Sequence, residues 1–358
     1  MKIVKKISSA VAIAAVMGAT LGTTAMAGDK KVLLKIPVAF PTHLLGLGTP
    51  APKLAKAIMG MSDTIKVKVY EPKKLIAPFE ILGAVSSGKV NAGYATAGYW
   101  KGKIPAAPIF SAVPFGPEAP EFVAWLYYGN GMKLYQEMYD THGFNVKVIP
   151  TAIISPETSG WFKKEIKSVD DLKGLKMRFF GFGADVMQKL GVSTTLLPGG
   201  EIFPALEKGA IDATEFSMPV IDQRLGLYKI AKYNYFPGWH QQATLFELLI
   251  NKDVWNKMSK RQQSIIEYAC KATLLDSLAE GEASQFEPMK VNVEKHGVIM
   301  KTWSPEMLAT FKSKWDEVAS EQKEKDPFFA KVWADLSKFR SGYAVWKEKA
   351  FLPMETAK

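Results

Sequence analysis

The sequence predicts an α/β protein of two lobes, each built on a mixed, mostly parallel β-sheet with helices on both faces. Strands and helices alternate in two separate parts of the chain, and β-α-β units produce sheets of this kind. The chain has 358 residues, enough for two lobes at about 100 to 200 residues each. After the N-terminal segment, no apolar run approaches the roughly 18 residues of a membrane span.

The first 27 residues have the pattern of a secretory signal peptide. Three lysines within the first six residues precede an apolar stretch from Val11 to Leu21, and Ala25 and Ala27 follow. A basic start, a short apolar run and an A-x-A end are typical of a cleaved signal rather than of a buried helix or an uncleaved anchor. Cleavage is expected after Ala27, with export to the periplasm.

The charge balance favours anionic partners. Lysine and arginine number 46 against 35 acidic residues, a net charge of +11, of which the expected signal holds three lysines and no acid. The lysines are spread along the chain and no nucleic-acid-binding motif accompanies them, so no nucleic-acid partner is expected. The single cysteine, Cys270, lies in an apolar helical stripe, which indicates a buried thiol and no disulfide.

The first lobe begins with alternating elements. Between residues 64 and 70 apolar residues alternate with lysines, the period of a half-buried strand. The predicted elements are strands over 32–40, 64–70, 90–97 and 144–154, and helices over 51–61, 78–87 and 118–139. Ligands of such sheets bind beyond the carboxyl ends of the strands, which here means near His43, Tyr94 and Tyr99-Trp100.

A second β-α-β series follows. Ser168 to Asp171 resembles a helix cap, Gly191 ends a helix, and Pro198-Gly199-Gly200 interrupts the chain. The predicted elements are strands over 175–180, 193–197 and 211–216 and helices over 184–190 and 201–208. Strands over 233–235 and 245–251 come next, and the second is expected to return the chain to the first lobe.

Helices dominate the last third. Ser259 and Gln262 have the spacing of a capping box, which predicts a helix from there to about residue 295. A strand over 298–303 follows, and Ser304-Pro305 begins a helix to about residue 323. A final helix is predicted over 328–349.

The sequence lacks the patterns of an enzyme active site. The four histidines are scattered, and there is no G-x-S-x-G, no H-E-x-x-H and no phosphate-binding glycine loop. Gly181-Phe182-Gly183 lacks the third glycine and the later acid of a dinucleotide site. A binding protein is therefore predicted rather than a secreted enzyme.

Two segments carry a family resemblance. Residues 168–178, SVDDLKGLKMR, and residues 200–213, GEIFPALEKGAIDA, resemble the solute-binding subunits of tripartite ATP-independent periplasmic (TRAP) transporters. With YWKGK at 99–103, VPFG at 113–116 and PGW at 237–239, the pattern is similar to the branch that binds monocarboxylates such as 2-oxoacids and lactate.

The resemblance implies a clamshell like that of periplasmic binding proteins, with hinge strands and a long helix spanning both lobes. Lobe I is expected in residues 28–155 plus about 245–300, lobe II in 156–244, and helices packing across the lobes in 301–358. The implied function is capture of a 2-oxo or 2-hydroxy monocarboxylate for a TRAP membrane permease. Another carboxylate or organic anion, or a ligand-presenting role beside a sensor, stays open, as does a homodimer through the C-terminal helices.

Arg178 is the first candidate for ligand binding. A guanidinium offers paired donors that match a carboxylate and is always charged. The local pattern alone predicts that Arg178 is a surface arginine at the end of a strand. The resemblance instead matches it with the family's carboxylate-binding arginine.

Glu157, Glu215 and Phe216 are the candidates for a cation site, because the corresponding places in the monocarboxylate branch supply oxygens to a cation that bridges the ligand. Na⁺ and Ca²⁺ are the candidate ions. The branch has an amide where Glu157 stands and a tryptophan where Phe216 stands. The added charge favours a divalent ion or indicates a different ligand, and solvated surface glutamates are the alternative.

Aromatic residues are expected to form the walls of the cleft, and these candidates are Tyr99, Trp100, Phe180, Phe216 and Trp239. Since core packing is the ordinary role of a single aromatic residue, two of the four residues other than Phe216 are expected to contact ligand. His43 and His240 could bond a ligand oxygen, but structural or exposed roles are expected because neither has a second histidine at ligand spacing.

Overall fold

A computed structural model describes residues 29–352 of the chain. The predicted signal peptide lies outside these residues. The two-lobe α/β architecture is confirmed: two groups of strands, one on each side of a cleft, are connected by crossing segments and packed against helices.

The strands agree with most of the predicted positions. They are β1 (Val32–Pro37), β2 (Ile65–Tyr70), β3 (Ala92–Ala95), β4 (Val146–Ile154), β5 (Gly160–Phe162), β6 (Lys176–Arg178), β7 (Ser193–Thr195), β8 (Ala213–Thr214), β9 (Tyr233–Phe236), β10 (Thr244–Asn251) and β11 (Ile299–Thr302).

The helices begin at the predicted caps. The Ser259 hydroxyl accepts a hydrogen bond from the Gln262 backbone N–H, and the Gln262 side chain accepts one from the Ser259 N–H. The Ser304 hydroxyl accepts a single hydrogen bond from the Met307 N–H. The α-helices are α1 (Pro50–Met61), α2 (Ile81–Ser86), α3 (Ala119–Tyr128), α4 (Gly131–Thr141), α5 (Gly181–Lys189), α6 (Gly199–Glu207), α7 (Pro219–Arg224), α8 (Lys252–Lys257), α9 (Lys260–Ala283), α10 (Phe286–Glu294), α11 (Pro305–Lys325) and α12 (Pro327–Ala350).

Lobe I contains two small sheets. β1 and β2 pair in parallel, and β10 lies antiparallel between β3 and β4. A parallel bridge between Val38 and Tyr94 connects the two sheets. All eight residues of β10 are buried. Five of them are apolar without strict alternation, because a strand covered on both faces needs none.

Lobe II contains one six-stranded sheet in the order β11-β9-β5-β8-β6-β7. β6 is parallel to both β7 and β8, so the carboxyl ends of these three strands lie at one edge. That edge faces lobe I, in the place where open α/β sheets bind ligands.

Two of the segments that cross between the lobes meet beside the cleft, one between β4 and β5 and one between β9 and β10. They run close together: the Glu157 N–H donates to the Gln241 carbonyl at 3.2 Å. A Cβ on Gly238 would lie 2.2 Å from the Glu157 carbonyl oxygen, so only glycine permits this approach.

Two helices predicted as continuous are each divided in two, which corrects both predictions. The helix over 118–139 breaks at Gly129, where an added Cβ would lie 2.7 Å from the Trp125 carbonyl oxygen. The helix predicted to residue 295 ends at Ala283, beside the crossing segments, and α10 resumes at Phe286.

The last helices distribute over both lobes. α9 packs on β4 in lobe I, whereas α10 packs on α7 and β11 pairs with β9 in lobe II. The end of the range predicted for lobe I, residues 286–300, therefore lies against lobe II. α11 packs on α5 of lobe II and α12 packs on α3 and α4 of lobe I. Within residues 29–352, no helix is both long and apolar enough to cross a membrane.

Candidate functional site

A small cavity lies between the lobes. Its volume is about 20 Å³, and a single ordered water needs about 10 to 15 Å³. In this arrangement the cavity therefore has room for about one ordered water. Its walls are Phe40, Leu47, Thr96, Tyr99, Glu157, Arg178, Phe180, Phe216, Gln241, Thr244 and Phe246.

Arg178 ends β6 and points into this cavity wall with only 2% of its surface exposed. Its Nε donates to the Leu197 carbonyl at 3.2 Å, and its Nη1 donates to the Glu215 carbonyl at 2.9 Å and to Glu215 Oε1 at 2.6 Å. The Phe216 ring lies 5.2 Å from the guanidinium carbon. No residue between 29 and 352 accepts a hydrogen bond from Nη2, so that nitrogen keeps its donors for a ligand.

Glu215 follows β8, and its two carboxylate oxygens have different surroundings. Oε1 accepts from Arg178 and from the Phe180 N–H, each at 2.6 Å. Oε2 has no hydrogen-bond partner among residues 29–352 and lies 3.5 Å from His240 Nε2. Burial raises the pKa of Glu215, but Arg178, His240 and the Phe180 N–H outweigh it and hold the pKa below its usual value. Glu215 is therefore ionised.

Glu157 lies on the first crossing segment and is 3% exposed. Its Oε1 accepts weakly from Thr244 Oγ1 at 3.4 Å, and its Oε2 lies 3.8 Å from His240 Nε2 without a hydrogen-bond partner in the described chain. Burial raises the pKa of Glu157 well above its usual value, and the neighbouring carboxylates Glu215 and Asp222 raise it further. A cation beside Glu157 would favour the ionised form instead.

Glu157, Glu215 and His240 form a cluster in which one ligand atom from each residue lies within 4.8 Å of the others. The two glutamates were sequence candidates for a cation site. For His240 a structural or exposed role was expected, because no second histidine lies at ligand spacing from it. Its surroundings come from two crossing segments that are far apart in sequence. The unpartnered buried oxygens fit a cation, since two adjacent carboxylates repel without one.

The five aromatic residues predicted to contact the ligand lie in different parts of the structure. Tyr99, Phe180 and Phe216 line the cavity, with the Tyr99 and Phe180 rings edge to face at 5.6 Å across the cleft. Trp100 turns into lobe I, where its indole N–H donates to Glu247 at 2.8 Å. Trp239 stacks on Phe311 at 4.8 Å. Neither tryptophan is among the residues that form the cavity wall.

Several wall residues had no signal in the sequence. They come from strand ends and crossing segments, and they are Phe40, Leu47, Thr96, Gln241, Thr244 and Phe246. The carboxyl-end rule named the nearby residues Tyr94 and Tyr99 but not Thr96, which follows β3. The others have ordinary residue types at ordinary spacing.

Comparisons with known proteins agree with this architecture. The family model described as bacterial extracellular solute-binding protein, family 7, matches residues 43–326. A monocarboxylate 2-oxoacid-binding periplasmic protein of Nostoc sp. is 35% identical over 325 residues, which cover 90% of this chain and 88% of the relative.

Two solved structures have the same fold. One is a TRAP transporter solute-binding protein of Bordetella bronchiseptica, a dimer with calcium and picolinate in one site and an apo second site. It has a TM-score of 0.87 and 28% identity, and the match covers 90% of this chain and 95% of that one. The other is a TRAP periplasmic solute-binding protein of Pseudoalteromonas atlantica with sodium and pyruvate. It has a TM-score of 0.86 and 32% identity, with coverage of 90% and 97%.

These matches span both lobes and the crossing segments that carry Glu157 and His240. The fold and the family are those of transport proteins that bind solutes outside the cytoplasm, not of enzymes. This chain belongs to the bacterial extracellular solute-binding proteins of family 7, as the solute-binding subunit of a TRAP transporter.

Proposed function

We propose that the protein binds a small 2-oxo or 2-hydroxy monocarboxylate in the periplasm, together with a bridging cation, and delivers it to a TRAP membrane permease. The observation that carries this proposal is the buried Arg178 beside two glutamates in the cavity between the lobes. An arginine with donors left for a carboxylate gives the site its preference for acids. The relatives named for 2-oxoacids and for pyruvate support the ligand class.

The cation belongs to the same proposal. Glu157 Oε2 and Glu215 Oε2 would hold it, and the family resemblance keeps Phe216 as a candidate for the same site. A cation in contact with both glutamates and with the ligand carboxylate would offset their mutual repulsion. The solved relatives with sodium and with calcium support a cation in this role.

Closure of the lobes would trap the ligand. Lobe I would contain residues 28–155 and β10 to α9, and lobe II residues 156–244 with α10 and β11. Contacts cross the cleft in the present closed arrangement: Lys73 Nζ is 2.7 Å from Glu201 Oε1, and Arg224 Nη1 donates to the His43 carbonyl at 2.8 Å. A ligand that contacts both lobes would shift the population toward this closed form.

The test is thermal unfolding of the purified protein with a panel of small acids. We expect pyruvate or a related 2-oxo or 2-hydroxy acid to raise the melting temperature, because a ligand that binds only the folded state stabilises it by mass action. The shift should disappear after chelation of divalent ions and removal of sodium. Pyruvamide, which has the same shape without the charge, is the matched control, and an equal shift with pyruvamide would contradict carboxylate recognition.

We also propose a homodimer through the end of α12. Four large apolar side chains are exposed there: Val345 at 64%, Trp346 at 62%, Phe351 at 55% and Leu352 at 79%. Large exposed apolar side chains grouped in one short stretch of chain are a feature of interaction surfaces, and the Bordetella bronchiseptica relative is a dimer.

Replacing Trp346 with glutamate should convert the dimer to a monomer, since a charge in an apolar interface loses its hydration. Multi-angle light scattering during size-exclusion chromatography measures the mass. Tyr268→Glu, which changes an aromatic side chain that is 68% exposed on α9, should leave the mass unchanged. A wild-type protein that is monomeric at every concentration would refute the dimer.

A further inference from the structure

One polar side chain of the cavity wall takes no part in the proposed contacts with the carboxylate and the cation. Gln241 lies on the second crossing segment, is 3% exposed and forms part of the cavity wall. Its Oε1 is buried and accepts no hydrogen bond from residues 29–352. A buried carbonyl oxygen without a donor loses its hydration without compensation. This oxygen therefore needs a donor from outside the described chain.

The neighbouring hydrogen bonds determine which end of the Gln241 amide is free. Glu157 Oε1 accepts a hydrogen bond from the Thr244 hydroxyl at 3.4 Å. Because that hydroxyl has a single proton, its oxygen accepts from Gln241 Nε2 at 2.6 Å. The opposite orientation of the amide would take the hydroxyl proton away from the buried Glu157. The amide nitrogen therefore faces Thr244, and the acceptor Oε1 is the end that remains for a ligand.

The other hydroxyl groups of the wall do not distinguish an oxo group from a hydroxyl on a ligand. The Thr96 hydroxyl donates its proton to the Leu245 carbonyl at 2.9 Å and so accepts from Ser111. The Tyr99 hydroxyl can either donate or accept. The free end of Gln241 accepts a hydrogen bond and cannot give one, so this residue is the neutral side chain that can discriminate.

The two candidate classes of acid differ in one hydrogen-bond donor. An ionised 2-oxo acid carries only acceptors, whereas a 2-hydroxy acid carries an O–H group beside its carboxylate. Since Arg178 and Gln241 line the same small cavity, an acid held there by Arg178 would lie against Gln241 as well. A site with a buried acceptor favours the ligand that brings a donor, because an analogue without one leaves the acceptor unpaired.

We propose that Gln241 gives the protein a preference for 2-hydroxy monocarboxylates, such as lactate, over the corresponding 2-oxo acids, by accepting a hydrogen bond from the ligand hydroxyl. This inference rests on the proposed carboxylate-binding function and specifies its substrate class. Arg178 and the cation would act on the charge of the ligand, whereas Gln241 would act on its neutral oxygen. Pyruvate would remain a ligand, but a weaker one.

The experiment is isothermal titration of the purified wild-type protein, in a buffer that contains sodium and calcium, with both enantiomers of lactate, with pyruvate and with both enantiomers of 2-fluoropropanoate. The fluoro acid keeps the tetrahedral carbon of lactate but has no O–H donor, so it separates the donor from the shape. We expect the better lactate enantiomer to bind at least about tenfold more tightly than pyruvate and than either fluoro acid.

Gln241→Met removes the acceptor and keeps a side chain of similar length. It should weaken lactate binding at least about tenfold and leave pyruvate binding within about threefold, because pyruvate brings no donor to Oε1. Gln242→Met makes the same change at the next residue, which donates to the Gly238 carbonyl at 2.8 Å and is not part of the cavity wall. That control should keep the ratio of the two affinities unchanged. The wild-type comparison with the fluoro acid decides the matter if Gln241→Met does not fold.

The outcomes separate this inference from the proposed function. If pyruvate or 2-fluoropropanoate binds the wild type as tightly as lactate, the inference is overturned and the carboxylate function stands. Equal losses of lactate and pyruvate affinity in a folded Gln241→Met protein would also overturn it, since Gln241 would then contact the carboxylate or the cation. If none of these acids binds, the carboxylate function fails and the inference fails with it.

Discussion

Replacing Arg178 with lysine should abolish most monocarboxylate binding. Lysine keeps the charge, but it loses the planar pair of donors and cannot satisfy Leu197 and Glu215 while also holding a ligand. Disruption of a buried, hydrogen-bonded charge pair costs about 2 to 5 kcal/mol, and each factor of ten corresponds to about 1.4 kcal/mol. Isothermal titration with pyruvate should therefore show a loss of about 30-fold or more.

Two further variants test whether the loss of affinity comes from the position of Arg178. Arg178→Ala leaves the buried Glu215 without its cation, so it should lower the melting temperature as well as the affinity. Arg261→Lys makes the same change at an arginine on α9 whose side chain is 72% exposed, and it should bind normally. Unchanged pyruvate affinity in a folded Arg178→Lys protein would remove Arg178 from the site.

Asp222 should make the protein less stable as the pH rises. This carboxyl group lies on α7 with no exposed surface, and it accepts bonds from Trp161 Nε1 at 2.8 Å, Thr158 Oγ1 at 3.1 Å and the Ser217 N–H at 3.1 Å. It thereby connects the segments beside the crossing at Glu157. Burial is the dominant influence and raises the pKa of Asp222 from 3.8 to about 8, against these three bonds.

The direction of the effect follows from proton binding. Between about pH 4 and pH 8 the folded protein holds the Asp222 proton and the unfolded chain does not. The contribution of this group is complete below pH 4 and is lost as the pH rises through 8. The full loss is on the order of 5 kcal/mol in the free energy of unfolding.

Urea unfolding of the wild type and of Asp222→Asn at pH 5, 7 and 9 measures this loss. The asparagine variant should fall less in stability between pH 5 and 9, because its side chain is neutral throughout. Glu157 and Glu247 also have raised pKa values, so the difference between the two proteins isolates Asp222. Asp63→Asn, at an exposed position, is the control, and identical slopes for wild type and Asp222→Asn would show that Asp222 is ionised in the folded protein.

Local patterns predicted the element types well and their ends less well. β2 and the caps at Ser259 and Ser304 follow from short-range chemistry, and the structure has them where they were predicted. The break of the 118–139 helix at Gly129 was missed because the apolar spacing continues through it. The need for glycine at this position is visible only in the folded chain, where the Trp125 carbonyl oxygen leaves no room for a Cβ.

Some contacts of the candidate site follow from local patterns and strand order, and others do not. Arg178 and Glu215 lie at the ends of neighbouring parallel strands, so the topology that places one also places the other. Trp100 was a ligand candidate by its position after β3, but the buried Glu247, 147 residues away in the chain, bonds its indole inside lobe I. No local pattern carries that pairing.

The sequence by itself determined the α/β class, the two lobes, the family and the presence of an arginine and two glutamates suited to an acid and a cation. These depend on residue type and on spacing within single elements, which the printed chain contains. Only the tertiary structure decided that His240 meets both glutamates and that Trp100 and Trp239 do not form the cavity wall. Such contacts join crossing segments and strands that are far apart in the chain, and their distances exist only after the lobes have packed.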